Sequence, residues 1–519
     1  MRKIPKKPLK SNPIKESDPS KIPAAKLPMD IEDKQELLKP YLENSDDIIN
    51  RTFYINGSEL EVQAIFINGV IDDNTFHLHI LKPLMLHCET EPLKNRNNEL
   101  IDIVSHSLIT VGRIRKADSL DALIHDIYDG MLVLIFDSSG EYLAIDIHGG
   151  PLRSLEEPPV EKAQRGSRDG FIEILDINLA LLRRRIRDHR LVVNKTLVGK
   201  RTRTPLAIIY IEDIADPGVI EEVNARINQI DIDGPLAAGY IEQFIEDNHY
   251  SFFPQIWATE RPDKMIAELL EGRVAIMIDG TPQVLFAPSL FVEFLQAPED
   301  YYERPWIGSY VRALRFLAFF IAITFPALYI SLMSYQIELI PIDLLVPLAK
   351  ARKLVPFPVL VEIILMEIII QVVIETGVRL PGTVGQTIGM VAGIILGQAA
   401  ISANLATPGV IIVIAITTIS TFSLPSSSLA LATRILRLPM IMMASIFGLF
   451  GFSLGMLIII AHLASLESFG VPYFAPFAPT RFADLKDSVF RTFLWKMNQR
   501  PVSIPGQDKK RQGNNGQGR

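Results

Sequence analysis

Between Leu380 and Ile401 the chain reads LPGTVGQTIGMVAGIILGQAAI, an uncharged stretch long enough to cross a bilayer as one helix. Within it Gly385, Gly389, Gly393 and Gly397 recur at every fourth position, on one helical face. Glycine there lets a second backbone approach closely. On the far side Thr387, Val391, Ile394 and Gln398 form another stripe, apolar in the middle and polar at both ends. One face for a neighbouring helix and one that tolerates water suits a pore-lining helix. A tightly packed bundle helix without a pore would carry the same small residues.

Composition divides the chain around this stretch. Of 519 residues 21% are charged, and the charge is concentrated before about Arg315; apolar runs dominate from there to about His462. The division predicts a large soluble domain followed by a membrane domain. No signal-peptide pattern opens the sequence. Residues 1–28 are rich in Lys, Pro and Ser, which predicts a disordered basic tail. A net charge of −7 leaves no nucleic-acid footprint. The single cysteine, Cys88, excludes an internal disulfide framework and fits a reducing, cytosol-facing domain.

The soluble half repeats itself. Ala64–Asp72 (AIFINGVID) and Ala207–Asp216 (AIIYIEDIAD) are apolar strand patterns that run into turns. Asp121–Gly130 and Asp263–Gly272 each read as a helix ending at a glycine, followed by a β-hairpin. Ala64 to Gly130 is 66 positions and Ala207 to Gly272 is 65. Equal spacing predicts two α/β subdomains of one kind, over 51–174 and 191–300, joined by a helix over 175–190. In that helix Leu175, Leu179, Leu182 and Ile186 form the apolar face, and Arg183, Arg184 and Arg185 are expected along its exposed side. Such a cluster can bind phosphate or pair with acids.

Catalytic patterns are missing: no Walker A, GxGxxG, HExxH or GxSxG occurs. His77, His79, His87 and Cys88 lie close in sequence without the paired spacing a zinc site uses. Asp231-Ile-Asp-Gly234 opens like a calcium loop and lacks the remaining ligands. The chain therefore reads as a non-enzyme with no cofactor and no metal.

About five hydrophobic segments are expected within 310–470: Leu314–Met333, Val355–Ile374, the glycine helix, Pro408–Leu424 and Pro439–His462. Arg312 and Arg315 place the start of the first on the cytoplasmic side, with the soluble domain. Arg434 and Arg437 are expected in a cytoplasmic loop between the fourth and fifth. A fifth crossing would put the polar C-terminal tail, 471–519, outside, although it holds Arg481, Lys486, Arg491, Lys496 and Arg500. Either the Gln336–Lys353 linker or a short segment is re-entrant or an extra crossing, or the tail is outside. Glu362 and Glu367 lie within the second segment, where an ionisable group is costly and marks either a function or a structural pair.

Ordered motifs run from about Arg51 to Arg500: EEPPVEKAQRGSRDGF (156–171), LLRRRI (181–186), YIEDIADP (210–217), TERPDKMIAELLEGRVAIMIDGTP (259–282), EDYY (299–302), PALYI (326–330), VPFP (355–358), RLPGTVGQ (379–386), GQAA (397–400) and SFGVPYFAPFAP (468–479). On these the chain resembles the A subunits of spore-germination nutrient receptors, the GerA family. The resemblance implies a multi-pass protein of the spore inner membrane with its N-terminal domain in the spore core. It also implies a ring-forming oligomer with an ion-conducting path, a multi-pass B subunit and a C-subunit lipoprotein. Many relatives have proline at Ser167 and histidine at Gln336. The RGSR and DIADP phrases resemble a sporulation-stage paralogue, so direct and accessory roles both stay open. The expected architecture is an α/β soluble domain of two duplicated subdomains followed by an all-α multi-pass membrane domain. It would carry a germinant signal to ion release, with a non-conducting scaffold or an ion-coupled transporter as the alternatives.

Overall fold

The computed structural model describes residues 22–23, 25–56, 60–86, 101–149, 161, 165–379 and 393–512. It divides into two compact units, Met1–Leu152 with Leu179–His189, and Arg153–Asn178 with Arg190–Arg519.

The first unit is built on β1 (Ile48–Tyr54), β2 (Glu61–Ile67), β3 (Ile114–Ala117), β4 (Leu132–Phe136) and β5 (Tyr142–Ile145), in the spatial order β1-β2-β4-β5-β3. Every neighbouring pair is antiparallel. Side chains alternate between faces along each strand. Val62, Ala64, Leu132 and Leu134 pack under residues 76–84 and 101–109 on one side. Ile65, Ile67, Val133 and Ile135 meet α2 on the other. Burial on both faces is why Ala64–Ile67 of β2 and the whole of β4 read as unbroken apolar runs. α1 (Ile31–Leu42) is capped by Asp30. α2 (Leu120–Tyr128) starts where Ser119 accepts the Ala122 N–H, and it ends before Gly130, whose φ of 89° lets the chain reverse into β4.

The second unit opens with a sheet of the same order: β6 (Leu191–Val198), β7 (Thr204–Ile211), β9 (Val274–Ile278), β10 (Val284–Ala287) and β8 (Trp257–Thr259). α3 (Leu175–Arg185) begins within this unit and passes into the first at Leu179. α4 (Pro217–Asn228) is capped by Asp216 with Pro217 in its first turn, and Val219, Val223 and Ile227 are buried. α5 (Ala238–Ile245) packs beside it. α6 (Pro262–Leu270) precedes Gly272 as α2 precedes Gly130.

The remainder is helical: α7 (Pro305–Ser334), α8 (Ile342–Arg352), α9 (Val359–Arg379), α10 (Gly393–Ser402), α11 (Pro408–Phe422) and α12 (Ser427–Ser465). α7 and α12 are each long and apolar enough to cross a membrane. α7 packs along α11 and α12, around a core that includes Ile330, Ile363, Val410 and Ile441. Several boundaries differ from the hydropathy expectation. α7 starts at Pro305, nine residues before Leu314. α12 starts at Ser427 rather than Pro439, so Arg434 and Arg437 lie in the helix and not in a loop. Ser426 caps its start, and hydropathy cannot distinguish a charged helical turn from a loop.

α12 is broken at Gly448 (φ 61°, ψ −139°), where the ladder of backbone bonds is interrupted. The freed groups find partners on the segment after α7. The Tyr335 hydroxyl donates to the carbonyls of Ser445 (2.5 Å) and Ile446 (3.0 Å), and Gln336 Oε1 accepts the Leu449 N–H (3.3 Å). A Cβ on Gly448 would lie 2.9 Å from the Tyr335 ring.

After α12 the chain folds back onto the second sheet. Ser468 Oγ accepts the Ser289 N–H (3.1 Å) and donates to the Gln255 carbonyl (2.9 Å). The Phe469 ring joins the sheet core beneath the Arg226 guanidinium, 4.2 Å away. Gln507 N–H reaches the Ile214 carbonyl (2.9 Å).

Candidate functional site

Clusters of charge are buried in the second unit. The first ties the helical bundle together. Glu362 and Glu367 are five residues apart on α9, about 140° around the helix, and they point to different neighbours. Glu362 is fully buried and accepts the Thr407 N–H through Oε2 (2.9 Å). Thr407 is the N-cap of α11, so the carboxylate lies at the positive end of that helix. Among the described residues Glu362 Oε1 has no hydrogen-bond partner. Glu367 receives Arg437 Nη1 on both oxygens (2.9 and 2.8 Å). The same guanidinium donates from Nε to the Ala322 carbonyl (2.7 Å) and from Nη2 to Thr421 Oγ1 (2.8 Å). One arginine thus bridges α7, α9, α11 and α12. The expectation that Arg437 marks a cytoplasmic loop is corrected here: it is 4% exposed, and its charge is met by Glu367.

Of the glycine helix, Gly393, Ile394, Gly397 and Gln398 fall in α10; Gly385, Thr387, Gly389 and Val391 lie outside the described residues. Ile394 is 68% exposed and Gln398 is exposed. A Cβ placed on Gly393 or Gly397 would meet nothing within 4 Å. None of the described residues fills the space beside these glycines.

The second cluster joins the base of α7 to its surroundings. Arg312 is fully buried; Nε donates to Asp300 Oδ2 (3.2 Å), and Nη1 donates to Asp487 Oδ1 (2.9 Å) and to the Asp487 carbonyl (2.8 Å). Arg315 Nη1 donates to both oxygens of Asp300 (2.8 Å each). Arg491 caps the carbonyls of Asp300 (2.7 Å) and Glu303 (2.9 Å). Arg312 and Arg315 are therefore buried ion-pair partners at the base of α7. Gly308 permits the close approach, since a Cβ there would lie 2.6 Å from the Asp300 carbonyl oxygen. Burial pushes the Asp487 carboxyl above its ordinary range, with Arg312 opposing the shift.

Beside this junction Arg273 is 2% exposed and lies among Glu268, Glu271 and Glu293, with Arg511 also reaching Glu271. Burial pushes Glu271 up to about 7 and raises Glu293 as well. Burial is the main cause for Glu271; Asp487 and Glu293 add to it, and Arg511 and Arg500 oppose it. The exit of α12 is held separately by His462 Nε2 and Ser251 Oγ, 3.0 Å apart. Sequence reasoning missed Asp300 and Asp487. The EDYY motif contains the first, and local pattern offers no signal for the second.

Comparison with known proteins gives a consistent picture. Residues 36–503 match the family model described as Bacillus/Clostridium GerA spore germination protein. Spore germination protein KA of Bacillus subtilis (strain 168) is 39% identical over 471 residues, covering 91% of this chain and 86% of that protein. Stage V sporulation protein AF of the same organism is 33% identical over 459 residues, covering 88% and 91% respectively. The crystal structure of the N-terminal domain of the A subunit of the Bacillus megaterium spore germinant receptor GerK3 is 32% identical, with a TM-score of 0.41; the match covers 52% of this chain and 99% of that one.

Proposed function

The chain belongs to the GerA family of Bacillus/Clostridium spore germination proteins, and from that premise we propose that it is a membrane subunit of a germinant receptor that oligomerises and turns the germinant signal into ion release. It works as a multi-pass protein of the spore inner membrane, with a B subunit and a C-subunit lipoprotein as partners. Its N-terminal domain, two copies of one α/β module, faces the spore core. The C-terminal segment packs on the second sheet and on the base of α7, which supports an even number of crossings with both ends in the core.

The observation that carries the proposal is the unoccupied face of α10. Among the described residues nothing lies against Gly393 or Gly397, and Ile394 and Ile395 are 68% and 59% exposed. A second copy of the chain would fill the glycine face, and Thr387, Val391, Ile394 and Gln398 would line the path, with Val391 and Ile394 as an apolar gate. The buried Asp300–Arg312–Asp487 junction supplies the mechanical link, because it clamps the first span to the soluble side. An ion-coupled transporter using Glu362 and Glu367 as a relay is less well supported, since Glu367 is engaged on both oxygens by Arg437.

Thiol accessibility tests this reading. In a Cys88→Ser background, Ile394→Cys and Gln398→Cys should react with a water-soluble thiol reagent in assembled receptors, and faster after activation. Protection of both positions in both states would place the path elsewhere.

A further inference from the structure

The first unit contains a cavity of about 250 Å³ whose walls include Val70, Tyr128, His148, Arg183, Arg184 and Arg187. We propose that it binds a small oxyanion, the carboxylate or phosphate group of a metabolite. The proposal does not depend on where any pore lies.

Arg183 is the first reason. Its side chain is 1% exposed. One edge of the guanidinium, Nε and Nη2, grips Asp47 (2.6 and 2.8 Å), and Nη2 also donates to Ser45 Oγ (2.7 Å). Among the described residues the opposite nitrogen, Nη1, is buried without a hydrogen-bond partner. A buried charged donor left unmet is costly, and such a group calls for an acceptor. The helix accounts for this arrangement. Three consecutive arginines spread over about 200° of a helix and cannot all face solvent. Arg183 follows the buried Leu182 inward, which corrects the expectation that the cluster lies along an exposed side.

Arg184 is the second reason. It donates to the Gly149 carbonyl, and among the described residues no carboxylate pairs with it. Arg187 is paired with Asp129 at 3.2 Å, but both side chains are about half exposed, so an incoming anion can compete for it. His148 closes a wall, its ring held by Asp146 (2.5 Å) and the Asp129 carbonyl (2.9 Å).

The charges leave a surplus. Among the described residues Asp47 offsets Arg183 and Asp129 offsets Arg187, and no carboxylate is paired with Arg184. Guanidinium forks match the planar, paired oxygens of carboxylates and phosphates. The cavity is smaller than the roughly 300–1,000 Å³ of drug-sized pockets, so the ligand is small.

The test uses the purified full chain in detergent and equilibrium dialysis with two probes separately, radiolabelled inorganic phosphate and radiolabelled acetate. Saturable binding of either, weakened at least about tenfold by Arg184→Gln and by Arg187→Gln with thermal stability unchanged, supports the site. The probe that binds identifies the group. Arg183→Gln is less informative because it strands Asp47. No binding of either probe up to about 10 mM, or equal binding by the variants, overturns the proposal.

Discussion

Replacing Glu367 with glutamine should destabilise the helical bundle. The carboxylate is 15% exposed and Arg437 is 5% exposed, so removal strands a guanidinium out of water. Breaking a buried pair in this way costs about 3–5 kcal/mol. Arg437 would keep the Ala322 carbonyl and Thr421 Oγ1, which puts the expected cost at the lower end, about 3 kcal/mol. Arg437→Met should cost less, because a lone buried carboxyl can take up a proton and become neutral. The double change Glu367→Gln with Arg437→Met should recover most of the loss, since no buried charge remains. The three tryptophans allow thermal unfolding to be followed by fluorescence in one detergent for all four proteins. A fall in Tm of about 5 °C or more is expected for Glu367→Gln. A shift within about 1 °C, or a double variant no better than the single one, would refute the pairing argument.

Four further outcomes are expected. Asp487→Asn should leave fully buried Arg312 short of charge and free the C-terminal segment, which limited proteolysis would detect as faster cleavage between 481 and 512. Gly448→Ala should cost about 1–3 kcal/mol, because it adds a side chain at φ 61° and against Tyr335; an unchanged Tm would contradict the strain. Glu271 has a folded pKa of about 7 against its ordinary 4.5, so the folded state holds the extra proton. Its stabilising contribution is full below about 4.5 and is lost as pH rises through 7, so Glu271→Gln should flatten the fall in Tm between pH 5 and 8, whereas parallel curves for the two proteins would refute it. Gly393→Leu meets no neighbour among the described residues, so it should leave monomer stability intact and reduce the crosslinked oligomer; an unchanged oligomer would remove the packing role.

Much of the sheet architecture can be read locally. The apolar runs AIFI and AIIYI fall in β2 and β7, and Gly130 and Gly272 follow α2 and α6. Such features depend on period and on neighbours a few residues away. Charged partners are different. Asp47 and Arg183 are 136 positions apart, and Glu367 and Arg437 are 70 apart. An arginine in an apolar run looks like a loop until its carboxylate is found, which is why α12 was expected to start at Pro439. The kink at Gly448 was hidden for the same reason, since Tyr335 and Gln336 supply its missing bonds from another helix. The C-terminal segment is polar enough to read as a tail, but a few residues, Phe469 and Val471 among them, anchor it.

Ion flux from proteoliposomes loaded with potassium and containing the purified, assembled receptor tests the central claim most directly. Wild-type receptor should release ions only on activation. Ile394→Ser should leak without it, because a polar ring favours the wetted state of an apolar gate. Gly393→Leu should release none. No flux from wild type under activation, together with no leak from Ile394→Ser, would contradict an ion path through this subunit and leave it a scaffold.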